Sequence, residues 1–202
     1  LFDEKEQKTW DYTNKPDVIH SELIVPENAP TWAKALVELH ETNPDQASEK
    51  LWNFVEATEK RKDAQLAREV RFALPIELDQ EQNIILAREF IKDQFVLRGM
   101  IADWNIHWDA GNPHVHAMLS MRELTEDGFG LKARDWNLKP LLTEWREKWA
   151  EYANFHLRLH QHDVKIDHRS YQEQGIELIP TIHQGKAVSD MDSRGITTEI
   201  MN

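Results

Sequence analysis

The sequence predicts an α+β fold in which a central antiparallel sheet packs against helices. β-rich runs interleave with helical patterns along its 202 residues, two of those runs flank the turn-forming Asp109-Ala110-Gly111-Asn112, and 40% apolar content is enough to fill one substantial core. We expect one main domain over residues 1–185, with residues 186–202 as a tail or the start of a following segment.

Residues 1–18 are polar and broken by Asn14 and Pro16, whereas residues 18–25 are β-rich and stop at Pro26, which predicts a strand. A short helix is expected over residues 31–39, after which Asn43-Pro44 interrupts the pattern. Ser48 is the expected N-cap of a second helix through Leu51, Trp52 and Val55, which runs out in the charged Glu59-Lys60-Arg61-Lys62-Asp63. Within residues 66–74, Val70-Arg71-Phe72-Ala73-Leu74 alternates before Pro75, the mark of a strand. Asp79 and Gln82 have capping-box spacing, and Ile84, Ala87, Ile91 and Phe95 then follow a helical period until Gly99. Residues 100–108 and 113–122 read as an antiparallel hairpin, and Glu126-Asp127-Gly128 supplies a second turn. Residues 138–160 form a long amphipathic helix, with Pro140 tolerated in its first turn and Leu142, Trp145, Trp149 and Tyr152 on one face.

Composition narrows the chemistry. With no cysteine there is no disulfide, thiolate nucleophile or Cys-ligated metal, so a metal would be held by His, Asp or Glu. The ten histidines are therefore the first place to look. No stretch is long and apolar enough for a membrane span, and the charged start lacks the apolar core of a signal peptide, so we expect a soluble, cytoplasmic protein without membrane insertion. A net charge of −12 argues against indiscriminate adhesion to nucleic acid but leaves room for a local basic groove.

His107, His114 and His116 place three imidazoles within ten residues. On a strand, His114 and His116 share a face while Val115, Ala117 and Leu119 take the other. Antiparallel pairing of the two runs returns His107 alongside them, giving a three-nitrogen site with coordination positions open to substrate oxygens. A metal there can polarise a phosphoryl group. A lone His is usually a surface or packing residue, which is our reading of His20, His40, His156, His168 and His183; His160-Gln161-His162 is a minor metal candidate.

Asn112-Pro113-His114-Val115-His116, with His107 upstream, resembles the three-histidine motif of HUH endonucleases, specifically the MobA/MobL-type (MobQ) conjugative relaxases. The segment from Lys60-Arg61-Lys62-Asp63 to Arg68-Glu69, then Ala73-Leu74-Pro75, and Arg134-Asp135-Trp136-Asn137 before the long helix are similar to segments of the same relaxases. The resemblance implies an HUH relaxase-like fold and a DNA strand transferase using Mg2+ or Mn2+. Its tyrosine attacks a scissile phosphodiester of single-stranded DNA at a plasmid origin of transfer, leaving a 5′-phosphotyrosyl link and a free 3′-OH. By position the metal ligands are His107, His114 and His116, and Glu69 is the active-site acid that orients a ligand or assists proton transfer. Read without the family, Glu69 is a surface carboxylate beside Arg68 and Arg71.

The resemblance also places the nucleophilic tyrosine just upstream of Leu1, and a chain starting at Leu rather than Met fits a piece of a longer protein. Tyr12 is the nearest alternative within the chain. A DNA track needs cations for phosphates and aromatics for bases. Candidates are Arg61, Arg68, Arg71, Arg122, Arg134 and Trp136, followed by Lys8, Trp10, Lys62 and Lys132. Implied partners are origin single-stranded DNA, relaxosome accessory proteins and a type IV secretion coupling protein, with passage into a recipient cell alongside the DNA. A rolling-circle replication initiator, a DNA-binding piece without catalysis and a generic three-histidine hydrolase are the alternatives.

Overall fold

Strict alternation of apolar and polar side chains builds the centre of the molecule, as seen in a computed structural model that describes residues 1–10, 17–109, 111–178, 191, 194 and 195. The elements run β1 (Phe2–Asp3), β2 (Lys8–Thr9), β3 (Val18–Ile24), α1 (Thr31–Thr42), α2 (Pro44–Thr58), β4 (Ala67–Ala73), α3 (Gln80–Gln94), β5 (Ala102–Asp109), β6 (Asn112–Ser120), β7 (Arg122–Thr125), β8 (Gly128–Lys132) and α4 (Lys139–Leu159). Short 3-10 turns occupy Val96–Arg98 and Arg134–Asn137. All of these lie in a compact unit of Leu1–Asp167; a second unit spans His168–Asn202, and the expected boundary near residue 185 falls outside the described residues. No helix among the described residues is long and apolar enough to cross a membrane.

The main sheet has the antiparallel order β3-β5-β6-β4. Trp104 and Ile106 of β5, with Val115, Ala117 and Leu119 of β6, face a core closed by Ala87, Phe90 and Ile91 of α3 and Trp145 of α4. Each large side chain buried there stabilises the fold by about 1.5–3 kcal/mol relative to exposure. The intervening residues take the opposite face, where α1 and α2 pack Ala33, Leu36, Ala47, Leu51 and Val55 on Leu23 and Ile101. That helical pair covers one end of the face. Trp52 donates its indole N–H to Asp103 at 2.7 Å, and His40 meets the Ser21 hydroxyl at 3.3 Å. Burial holds the Asp103 carboxyl above its usual range against the pull of Trp52, Ser48 and His40. The other end of the face stays open and carries His107, His114 and His116.

Two local expectations are corrected. The second helix starts at Pro44 and not near Ser48, because the Asn43 side chain accepts from the Gln46 N–H and proline at the first helical position needs no donor. The polar N-terminal stretch also contains the small β1–β2 ribbon, paired Phe2 with Thr9 and Asp3 with Lys8. By contrast, the capping box of Asp79 and Gln82 forms in full at the start of α3.

The β7–β8 hairpin is tied to the end of α2 through Glu59. Its carboxylate, only 6% exposed, accepts from Arg122 Nε at 2.9 Å and lies 3.0 Å from Lys132 Nζ. Gly128, at φ +127°, fits against Phe54, where a Cβ would come within 2.6 Å of the ring. Burial by itself would raise the Glu59 pKa, yet Arg122 and Lys132 hold it below the usual carboxylate range. We expect Glu59→Ala to cost about 2–3 kcal/mol in urea unfolding, since it leaves two half-buried cations without their carboxylate. Because the folded pKa is depressed, the wild-type advantage is full above the unfolded value of 4.5 and shrinks as pH falls below it through the folded value. An equal gap between wild type and variant at pH 7 and pH 3 would contradict this.

Candidate functional site

The three histidines meet because β5 and β6 pair in register. His107 lies opposite His114, Asn105 opposite His116, and the buried Trp104, Ile106, Val115 and Ala117 fix which way their neighbours point. Ring centres are 5.3 Å apart for His107 and His114, 4.7 Å for His107 and His116, and 5.0 Å for His114 and His116. The Nε2 atoms of His114 and His116 are 3.1 Å apart.

Each ring is held from behind through Nδ1 by an oxygen acceptor. His107 donates to Asp17 Oδ2 at 2.6 Å, His114 to the Asn112 carbonyl at 2.8 Å, and His116 to Glu69 Oε1 at 2.7 Å. A proton on Nδ1 leaves a lone pair on Nε2, so this shell selects the tautomer a metal ligand requires. Partial burial, which outweighs the pull of Glu69 and is reinforced by His107 and His114, keeps the His116 imidazole below its ordinary pKa and hence neutral at pH 7.

Three imidazoles are a donor set of a kind that divalent cations take, and ring spacing can be compared with that of a bound site. Imidazoles bound through one nitrogen at about 2.1 Å, with bonds roughly 90–110° apart, put ring centres about 4.6–5.3 Å apart and nitrogens about 3.0–3.4 Å apart. The observed separations fall in those ranges. Among the described residues, no group of three or more His, Cys, Asp or Glu is arranged so that it could hold a metal ion as it stands. The fit therefore rests on ring spacing and on the Nδ1 acceptors.

Glu69 and Arg71 stand on the same face of β4, their side chains 3.7 Å apart, and Arg71 lies opposite His116 in register. Arg68 alternates to the other face, where it sits 5.6 Å from the Trp145 ring centre and bonds Asn137. Arg61 is exposed and paired with Asp63, and Arg134 is exposed. Two of the expected DNA contacts are turned inward. The Arg122 guanidinium is occupied by Glu59 and the Gly130 carbonyl, and Trp136 is 7% exposed, packed beside Gly99 in the main core. Tyr12 lies outside the described residues. Tyr152 is on the α3–α4 side of the sheet, where burial and its bond to Asp93 push its pKa up to about 12, the reverse of what a nucleophilic phenol needs.

Sequence reasoning missed Asp17, whose link to His107 is visible only once β3 is paired with β5. It also missed the position of Leu1, which lines a cleft with Phe2, Trp52, Ala67 and Met118. Met118 follows His116 by two residues on the same face of β6, a rise of about 7 Å.

The MobA/MobL family model matches residues 1–194. The conjugal transfer protein TraA of Agrobacterium fabrum is 44% identical, over 98% of this chain and 20% of its own length. The mobilization protein MobL of Acidithiobacillus ferridurans is 32% identical, over 96% of this chain and 57% of its own length. A solved structure described as "Molecular Basis of Vancomycin Resistance Transfer in Staphylococcus aureus" superposes with a TM-score of 0.72 at 36% identity, covering 84% of each chain. This chain spans only about a fifth of the TraA proteins it matches. From the family match across nearly its whole length, with relatives at this level of identity, the chain belongs to the MobA/MobL family.

Proposed function

We propose that this chain is the nicking and strand-transfer region of a conjugative mobilisation relaxase, acting on single-stranded DNA at an origin of transfer. The observation that carries the reading is the open-faced histidine triad with all three Nδ1 atoms held by oxygen acceptors. Membership of the MobA/MobL family, with relatives named for conjugal transfer and mobilization, supplies the biological setting.

His107, His114 and His116 are the ligands we assign to Mg2+ or Mn2+, which when bound supplies Lewis-acid stabilisation of charge on a phosphate oxygen. Asp17 and Glu69 hold two of the imidazoles in place, and Glu69 acts chiefly by accepting the hydrogen bond from His116 Nδ1. Arg71 sets a positive charge beside the scissile phosphate. By resemblance to the MobA/MobL relaxases, the nucleophile we assign is a tyrosine just upstream of Leu1. Its phenol gives up a proton as the oxygen bonds to phosphorus, the bond to the 3′ oxygen breaks, and that oxygen takes up a proton to leave a free 3′-OH, so that no net proton is gained or lost. Relaxosome accessory proteins and a secretion coupling protein are the partners this chemistry calls for, in the bacterial cytoplasm where the DNA is processed, followed by passage with the strand.

The test is a suicide-substrate assay with origin-containing single-stranded DNA and Mn2+, using this chain and a version extended by its native upstream segment. A covalent protein–DNA adduct on a denaturing gel is expected with the extended version alone. Adduct formation by the present chain would move the nucleophile to Tyr12. No adduct from either, under conditions where the DNA is bound, would overturn the strand-transfer reading.

A further inference from the structure

One polar side chain beside the triad has no role in anything described so far. Asn105 sits on β5 between the buried Trp104 and Ile106, so it points to the same face as His107 and lies directly across from His116. It is partly exposed, and its amide makes no hydrogen bond among the described residues, whereas its neighbours on that face are engaged. Ser21, opposite it on β3, is bonded to His40; Asp103, two residues back, accepts from Trp52; and His107, two residues on, is held by Asp17.

The register makes this residue part of a row. Ser21, Asn105, His116 and Arg71 stand side by side across all four strands of the sheet, on the triad's face. Adjacent strands are about 4.8 Å apart, so Asn105 and Arg71 flank His116 at about one strand spacing on either side. An amide N–H2 and a guanidinium at that separation are both donors to phosphate oxygens, and neither competes for the imidazole Nε2 positions. Arg71 has Glu69 3.7 Å away, which still leaves most of its 65%-exposed side chain available.

We infer that Asn105 is a substrate-contacting residue: its amide donates to a phosphate oxygen of the single strand, opposite Arg71, so that the DNA backbone crosses β5, β6 and β4 over His116. The inference rests on the single-stranded DNA reading of the preceding subsection. It adds a neutral donor on the β5 side to a track whose charged donor lies on β4.

Fluorescence anisotropy with a labelled mixed-sequence single-stranded 30-mer, in EDTA and separately in Mn2+, tests it on the full chain. Asn105→Ala is expected to weaken binding about three- to tenfold in both buffers, the effect of losing one donor to an anion. Its salt dependence should match wild type, because no cation is removed; Arg71→Ala should instead flatten the log–log salt slope by about 0.7. The near-isosteric Asn105→Asp keeps the shape of the site and should bind more weakly than Asn105→Ala, since a carboxylate repels phosphate. Wild-type affinity in both Asn105 variants, with wild type itself binding the 30-mer, would overturn the inference and leave the proposed function standing. If wild type does not bind single-stranded DNA, the proposed function fails and this inference fails with it.

Discussion

Replacing His114 and His116 together with alanine is expected to slow Mn2+-dependent strand cleavage by about a thousandfold or more, measured on the version of the chain that carries its upstream segment. A thousandfold corresponds to about 4 kcal/mol of transition-state stabilisation, a reasonable share for a Lewis acid on a phosphate. The fold should survive. Both side chains are partly exposed on the open face, and their strand is anchored from the other side by Val115, Ala117 and Leu119. The change in unfolding free energy should therefore stay within about 1 kcal/mol. The double variant is preferable to either single one, because two remaining imidazoles can still hold a cation weakly. Cleavage at the wild-type rate would show that the phosphate is activated without these rings.

The second large effect concerns the groups behind the imidazoles. Asp17→Ala and Glu69→Ala should each lower Mn2+ affinity about 10- to 100-fold in titration calorimetry, although neither residue is assigned as a ligand. Asp17 and Glu69 accept the Nδ1 protons of His107 and His116 at 2.6 and 2.7 Å; without them the rings rotate freely and the wrong nitrogen can carry the proton. Asp17→Ala keeps the backbone hydrogen bond from the Trp108 N–H to the Asp17 carbonyl, just before β3. Glu69→Gln should recover part of the affinity, because an amide oxygen can still accept from Nδ1 while the negative charge is lost. Affinities equal to wild type in both alanine variants would mean that the Nδ1 contacts are incidental to the site.

Much of this arrangement was legible in the chain itself, for physical reasons that also explain what was not. Residues 112–120 alternate so cleanly that the shared face of His114 and His116 follows from the pleat, and the turn composition before them fixes the partner strand and brings back His107. The capping box of Asp79 is a purely local device and is equally readable. Asp17 was invisible because its role depends on a pairing with β5 that spans 90 residues of sequence. Trp136 reads as a stacking platform from its place in a loop after the histidine hairpin. The indole instead turns inward and packs in the main core beside Gly99. The pairing of Arg122 with Glu59 is equally hidden in the sequence, because the two residues are 63 apart. The start of α2 at Pro44 is ambiguous in the sequence, because proline both ends one helix and suits the first position of the next.

Anomalous diffraction from crystals equilibrated with Mn2+ shows where the cation binds. We predict one strong peak within about 2.3 Å of the Nε2 atoms of His107, His114 and His116, with Asp17 and Glu69 still bonded to Nδ1 behind them. A map in which manganese is absent from the triad, or bound instead around Glu89 and His156 between α3 and α4, would contradict the account.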